Sequence, residues 1–444
     1  MHQPGVPQLI LAGAVSAVLK VDLGSISSIK AATRDVAFDL MSFYKGNRTG
    51  EILGLLDEPI SKGYPWWTNA IVWSTMIDYW RYTGDESHNT VTAEGLIAQS
   101  GSDLQHAFLP RNWTDNMAND EQGFWAMAAM QAAELGLPSP TADAPAWVDL
   151  AKAVFDMQAA RYSAEDEGNC HGGLHWKLLP ESRGYDTKNT MSTAVFLNLG
   201  ARLYRFTGNK TYAKWVEKGW DWLTSVGLIE DDFKVYDSVW LGNGVNCSDI
   251  NRLQFSYAPA VLLEAAAYMS NQTSNDATRE RWSARVRSVT NKAISFFFRN
   301  GTLVETACEP SGTCYAEMFW FKGIMLRSLA NAVRLTPSLL QQPSGEEEEG
   351  SAGSVAATLH TTARSAAETC AGGLRGRECV FGWVGPAEHD NDDDDDKTPT
   401  QPERITGPPA EANALAALLA VLTEQEEGLA PGRAGDFPDG GGRG

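Results

Sequence analysis

Two distant stretches of this chain repeat one another. Leu203-Tyr-Arg-Phe-Thr-Gly-Asn-Lys-Thr-Tyr212 echoes Tyr79-Trp-Arg-Tyr-Thr-Gly-Asp-Glu-Ser-His88, and a looser third copy runs through Tyr268-Met-Ser-Asn-Gln-Thr273. In both full copies aromatic residues close an apolar-periodic segment. A glycine, Gly84 or Gly208, then permits the left-handed turn that stops a helix, and Asp85 or Asn209 can cap the next one. The unit is a helix–turn–helix. Such units cannot bury their apolar faces alone, so they must stack or close into a ring.

Helical periodicity extends this pattern over most of the chain. Twelve segments carry it, near residues 25–45, 66–83, 86–99, 119–136, 144–163, 188–207, 210–226, 249–270, 276–299, 315–335, 353–370 and 409–424. Apolar residues recur at steps of three and four, as at Phe124, Ala128, Ala132 and Leu135. Strand signals are few. Twelve helices in pairs predict an all-α fold, a toroid of six helical hairpins forming one domain over 23–424. The Pro, Gly, Ser and acid-rich stretches 338–352 and 384–408 read as disordered insertions, and 425–444 as a disordered tail. The long connections 164–187 and 229–248, rich in Gly, Asp, Asn and aromatics, read as functional loops at one rim.

Charge narrows the function. A net charge of −20 over 444 residues excludes nucleic acid as the expected partner, because phosphate neutralisation needs clustered Lys and Arg. Neutral sugars meet no such obstacle. Compartment follows from three agreeing cues. Leu9–Leu19 is apolar and small-residue rich, the length of a signal segment's core and too short to span a bilayer, so residues 1–22 read as a signal segment. The six cysteines form an even set: Cys308/Cys314 and Cys370/Cys379 are spaced for local bridges, which leaves Cys170 and Cys247 as a long-range pair. Asn47, Asn112, Asn209, Asn246, Asn271 and Asn300 each begin an Asn-x-Ser/Thr sequon. Together they predict a secreted or cell-surface glycoprotein with disulfides. No CxxC pair or matching His spacing suggests zinc, and Asp392–Asp396 lacks calcium-ligand spacing. Neither metal nor cofactor is expected.

The sharpest chemical candidate is Asn119-Asp-Glu-Gln-Gly-Phe-Trp125. Cleaving a glycoside needs two carboxyl groups flanking the bond. Asp120 and Glu121, adjacent at a helix start, diverge by about 100° around the axis. Their closeness would also separate their proton affinities, leaving one ionised and one protonated. Acids in a first helical turn are favoured by the macrodipole alone, with Asn119 as N-cap, so position does not by itself make them catalytic. Around them, Trp66 and Trp67 offer ring faces for sugar C–H groups, Gly172 and Gly173 permit close backbone approach beside Trp176, and Asn119, Gln122, Lys188, Asn189, Tyr236, Asp237, Gln254 and Tyr257 supply polar groups suited to sugar hydroxyls. His171 and His175, four apart in a Gly-rich loop, are poor metal ligands.

In collinear order from about Ser28 to Trp383, the chain resembles glycoside hydrolase family 76, in particular its fungal cell-wall branch. The likeness rests on Tyr64-Pro-Trp-Trp67, Met76-Ile-Asp-Tyr-Trp80, Asn119–Trp125, Gly172-Gly-Leu-His-Trp176, Trp220-Asp-Trp222, Val235-Tyr-Asp237, Asn246-Cys-Ser-Asp-Ile-Asn251 and Cys308-Glu-Pro-Ser-Gly-Thr-Cys314. The resemblance implies an (α/α)6 barrel and a retaining mechanism on α-1,6-linked mannosides, with Asp120 as nucleophile and Glu121 as general acid and later base. It also implies a monomer acting on α-1,6-mannoside glycans, including the core glycan of glycosylphosphatidylinositol-anchored glycoproteins, with wall glucan as acceptor in a transfer reaction. The chain departs from the family at Glu121, where a second aspartate is usual, and at Thr68, His175, Ser238 and Ala258-Pro259. These are expected cleft positions, so a second reading is a glycan-binding paralogue with weakened catalysis. The terminal Asp436–Gly444 has no hydrophobic tail of the kind lipid-anchor processing needs, and no anchor is expected.

Overall fold

The computed structural model describes residues 18–56, 64–101, 106–110, 117–242, 247–341, 354–372, 376–384 and 405–425. Among these residues twelve α-helices follow in order: α1 Ile26–Ser42, α2 Thr68–Thr83, α3 Asn89–Ser100, α4 Asn119–Leu135, α5 Trp147–Ala164, α6 Thr190–Thr207, α7 Lys210–Ser225, α8 Tyr257–Gln272, α9 Asp276–Phe297, α10 Phe321–Leu335, α11 Val355–Glu368 and α12 Pro408–Gln425. The even-numbered helices pack each on the next, α2 on α4, α4 on α6, and so on until α12 meets α2. The ring closes. Most odd-numbered helices lie outside their partners, which makes the (α/α)6 toroid.

Burial explains which helix goes where. In α6 every residue from Thr190 to Arg205 is buried, as an inner helix flanked on all sides requires. Its outer partner α7 buries only Val216, Gly219, Trp220, Trp222 and Leu223, a single stripe at three- and four-residue spacing. The repeat seen in the sequence marks these hairpin turns. Gly84 and Gly208 cap α2 and α6 with φ of 76° and 71°, and Asn209 accepts from the Thr211 N–H at 3.0 Å. The third copy ends without a glycine, since Thr273 leaves α8 in extended backbone.

Four of the expected helices begin or end in other structure. Lys188 and Asn189 belong to strand β1 (Thr187–Asn189), and residues 249–251 to β3 (Asp249–Asn251); both pair with β2 (Ser238–Trp240) in one antiparallel sheet. Residues 298–299 form a strand β4 that pairs with β5 (Thr302–Leu303). Residues 316–320 make a 3-10 turn before α10. The domain also reaches further than expected. Leu19 is buried and its N–H donates to the Cys370 carbonyl at 3.0 Å, so the fold takes in residues assigned to the signal segment. Residues 337–341 form a 3-10 turn and α12 begins at Pro408, so the expected disordered stretches 338–352 and 384–408 are ordered at these ends. Their central parts, the tail beyond 425 and sequons Asn112 and Asn246 lie outside the described residues. All three cysteine pairs form as their spacing indicates: Cys170–Cys247, Cys308–Cys314 and Cys370–Cys379.

At the C-terminal end of the inner ring a buried polar network fills the axis. Arg202 donates to Glu134 at 2.7 Å and Arg327 to Asp78 at 2.5 Å, while Ser328 and Asn198 donate to Glu264 at 3.0 and 3.1 Å. Side chains of Arg202 and Glu134 are only 5% and 9% exposed. Removing one member of such a pair strands the other charge without water. Glu134→Ala should therefore cost about 3–5 kcal/mol in chemical unfolding; a loss below about 1 kcal/mol would show that the pair is not a structural element of the ring.

Candidate active site

The opposite end of the ring holds an open cleft of about 370 Å³. Inner helices begin there, which is why its walls carry Trp67 at the cap of α2, Asp120 and Glu121 in the first turn of α4, Asn189 at the cap of α6, Tyr257 at the start of α8 and Phe321 at the start of α10. The three-stranded sheet adds Thr187, Ser238 and Asn251, and the loop before it adds Trp176. Parallel helix N-termini present partial positive charge, which suits the acids gathered there.

The start of α4 is fixed from behind. The Asn119 N–H donates to the Trp176 carbonyl at 2.9 Å, and the Asn119 amide donates to the His175 carbonyl at 2.8 Å. Arg161 donates to Asn119 Oδ1 and Gln122 Oε1, both at 2.7 Å, and Gln122 itself donates to the Ala107 carbonyl at 2.7 Å. This clamp turns Asp120 and Glu121 forward. The capping position is Ala118, in extended backbone, rather than Asn119.

The two acids differ in their surroundings. Asp120 Oδ1 accepts from the Glu121 N–H at 2.8 Å, and Oδ2 accepts from the Asn189 amide at 2.7 Å. Burial pushes its carboxyl up to about 6, opposed by the Asn189 bond and the charge of Lys177. Glu121 is pushed further, to about 8, by burial first and then by the Asp120 charge. Two other acids share the cleft. Asp237 accepts from Ser238 Oγ at 2.9 Å and Asn251 Nδ2 at 3.0 Å, yet burial raises it. Glu317, in the 3-10 turn, is raised by burial and by Asp120. Near pH 7 the site favours an ionised Asp120 beside a protonated Glu121.

Of the residues singled out in the sequence, Asp120, Glu121, Trp67, Trp176, Asn189, Asp237 and Tyr257 meet in this cleft. The others do not line it. Trp66 turns into the core, where its N–H donates to Gln99 at 2.8 Å and its ring stacks on Trp125. Asn119 and Gln122 belong to the clamp. Gly172 and Gly173 admit Trp222 instead of a ligand: a Cβ on Gly173 would sit 2.2 Å from that indole. Lys188 is fully buried behind the sheet, donating to Glu165 at 3.0 Å and to the Gly172 carbonyl at 2.6 Å. Tyr236 lies under Arg252, its carbonyl accepting from Thr190 at 2.5 Å, and Gln254 is outside the lining. Among the departures from the family pattern, only Glu121 and Ser238 reach the cleft; Thr68 and Ala258-Pro259 are buried, and His175 stacks on Tyr185 outside the lining.

Sequence reasoning missed Tyr315, Glu317, Met318 and Phe321, which close one side. Tyr257 and Phe321 stack in parallel at 3.9 Å. Buried acids hold that wall: Glu305 accepts from the N–H of Ser256, next to Tyr257, at 3.3 Å, and Glu309 pairs at 2.8 Å with Lys322, next to Phe321. The Cys308–Cys314 bridge lies in the same loop, so the Cys308–Cys314 motif was the available signal for a wall there.

The chain is similar to known proteins along most of its length. The model of Glycosyl hydrolase family 76 matches residues 28–428. The mannan endo-1,6-alpha-mannosidase DCW1 of Candida glabrata is 34% identical over 84% of this chain and 79% of that protein, and its Saccharomyces cerevisiae counterpart is 34% identical over 82% and 76%. The crystal structure of Dfg5 from Chaetomium thermophilum in complex with glucosamine superposes with a TM-score of 0.81 at 36% identity, covering 95% of both chains. An inactive variant of a Salegentibacter α-1,6-mannanase with two adjacent aspartates changed to asparagine, in complex with α-1,6-mannotriose, shares the fold with a TM-score of 0.62 at 16% identity, covering 89% of this chain and 98% of that one.

Asn189 is the residue whose removal reads the electrostatics most directly. It stabilises the charged form of Asp120, so Asn189→Ala should raise that carboxyl and shift the acid limb of any activity profile to higher pH. The same side chain accepts from the Ser192 N–H at 3.1 Å, so stability should fall by about 1 kcal/mol. A pH–rate profile that stays in place in the folded variant would contradict this assignment.

Proposed function

The chain belongs to glycosyl hydrolase family 76, and from that premise we propose that it is a retaining glycosidase or transglycosidase acting on α-1,6-linked mannosides of the fungal cell wall. The observation that carries the reading is the unequal pair. Asp120 is held by two donors and ionises first; Glu121, raised by burial and then by the Asp120 charge, keeps its proton. In the first step Glu121 gives that proton to the glycosidic oxygen while an Asp120 oxygen bonds to the anomeric carbon, releasing the leaving sugar. In the second step Glu121, now a carboxylate, takes a proton from the attacking hydroxyl and the Asp120–sugar bond breaks. Water as the attacker gives hydrolysis, and a sugar hydroxyl gives transfer.

The cleft supports a neutral sugar as substrate. Its walls combine the rings of Trp67, Trp176 and Tyr257 with the amides of Asn189 and Asn251 and the hydroxyls of Thr187 and Ser238. Relatives at about a third identity are named mannan endo-1,6-alpha-mannosidases, which supports the linkage. We extend this to the core glycan of glycosylphosphatidylinositol-anchored proteins as donor and wall glucan as acceptor, in a secreted monomer stabilised by three disulfides. Among the described residues no helix is long and apolar enough to cross a membrane.

Two measurements test the proposal. Asp120→Asn should keep the fold and lower turnover of α-1,6-mannan by at least about 1,000-fold; retained turnover removes Asp120 from the mechanism. Activity should need Asp120 ionised and Glu121 protonated, so the rate should fall below about pH 6 and above about pH 8 as apparent values of the coupled pair. A rate still rising through pH 9 would rule out Glu121 as the acid.

A further inference from the structure

We infer that Trp240 is a sugar-binding platform just outside the cleft, where it takes one further hexopyranose of a longer chain. The placement follows from the sheet. Along β2, side chains alternate between faces, and directly paired residues of neighbouring strands share a face. Ser238, paired with Asn189 and Asn251, faces the cleft with both. Trp240 is two residues along, so it shares that face, and its direct partner Thr187 lines the cleft as well. Lys188 and Val239, of opposite parity, are fully buried behind. The indole therefore continues the cleft floor outward by about 7 Å, two residues of strand.

A single exposed apolar side chain usually means little. This one is 44% exposed and yet held in place. Its ring N–H donates to Asp186 Oδ2 at 2.7 Å, and the Asp186 carbonyl accepts from the Leu241 N–H at 2.8 Å, so one residue fixes both the indole and its strand. The six-membered ring lies against Gly242, where a Cβ would come within 2.4 Å of it. A pre-positioned indole loses little freedom when a sugar ring stacks on it, and hexopyranoses present C–H faces of matching chemistry. Leu253, half exposed on the cleft's own lining, adds a second apolar surface at the mouth.

The inference rests on the glycan reading of the cleft, and calorimetry separates the two. In the Asp120→Asn protein, α-1,6-mannohexaose should bind about five-fold more tightly than α-1,6-mannotriose. Trp240→Ala should remove most of that gain while leaving mannotriose affinity within about two-fold, and Trp240→Phe should keep most of it. An equal loss for both sugars would make Trp240 structural, and an undiminished gain would remove it from binding; either result overturns the subsite alone. Absence of binding by both oligosaccharides before Trp240 is changed would overturn the glycan reading, and the subsite with it.

Discussion

Closure of six parallel inner helices is the constraint from which the rest follows. Parallel helices align their dipoles, each equivalent to about half a charge at either end. The ring therefore has a positive mouth and a negative base, and the side chains answer it. Arg202, Arg327 and Arg334 crowd the C-terminal end, held by Glu134, Asp78 and Asn331, with Arg205 over the Tyr268 ring. Asp120, Glu121, Asp237 and Glu317 gather at the N-terminal end. A helical toroid thus carries an acidic cleft at one particular end.

Electrostatics at that mouth is a contest between the helix ends, which favour carboxylates, and burial, which opposes them. Burial wins for all four acids, by unequal margins. Asp120 escapes with the smaller penalty because Asn189 and the Glu121 N–H both donate to it. Burial raises Glu121 most, and the Asp120 charge beside it then holds its proton more tightly still. The asymmetry between the two acids comes from unequal burial and from the donors that only Asp120 has, the Asn189 amide at the cap of the neighbouring inner helix foremost among them. Lengthening the second acid to glutamate leaves this logic intact, since Glu121 still reaches the cleft and still feels Asp120.

Much of this was legible in the sequence. Gly84 and Gly208 announced the hairpin turns, cysteine spacing matched all three bridges, and the Asn119–Trp125 run marked the acid pair. What stayed hidden was direction. Trp66 and Trp67 are indistinguishable by type and position, but about 100° of rotation around a helix start sends one to Trp125 in the core and the other to the cleft. Asn119 and Gln122 flank the acids in sequence, yet they serve Arg161 behind them. Glu317 stayed hidden because the helix read over 315–335 begins in the structure only at Phe321, and the 3-10 turn before it, Ala316–Trp320, sets side-chain directions that a 3.6-residue period does not give.

The three-stranded sheet shows why a few residues outside the helical pattern matter so much. Extending α6 back to Lys188 treats residues 188 and 189 as one helical turn, with both available to a ligand. A strand separates them by a full reversal: Asn189 meets Asp120, while Lys188 is sealed against Glu165 and the Gly172 carbonyl. That sealed cation holds the Gly172–Trp176 loop from behind, and the same loop's carbonyls at His175 and Trp176 receive Asn119. Lys188 is therefore tied to the turn that carries Asp120 and Glu121 through this loop, and lies outside the cleft lining. The short sheet joins these parts: Asn189 on β1 donates to Asp120, and β2 pairs on both sides, placing Ser238 between Asn189 and Asn251.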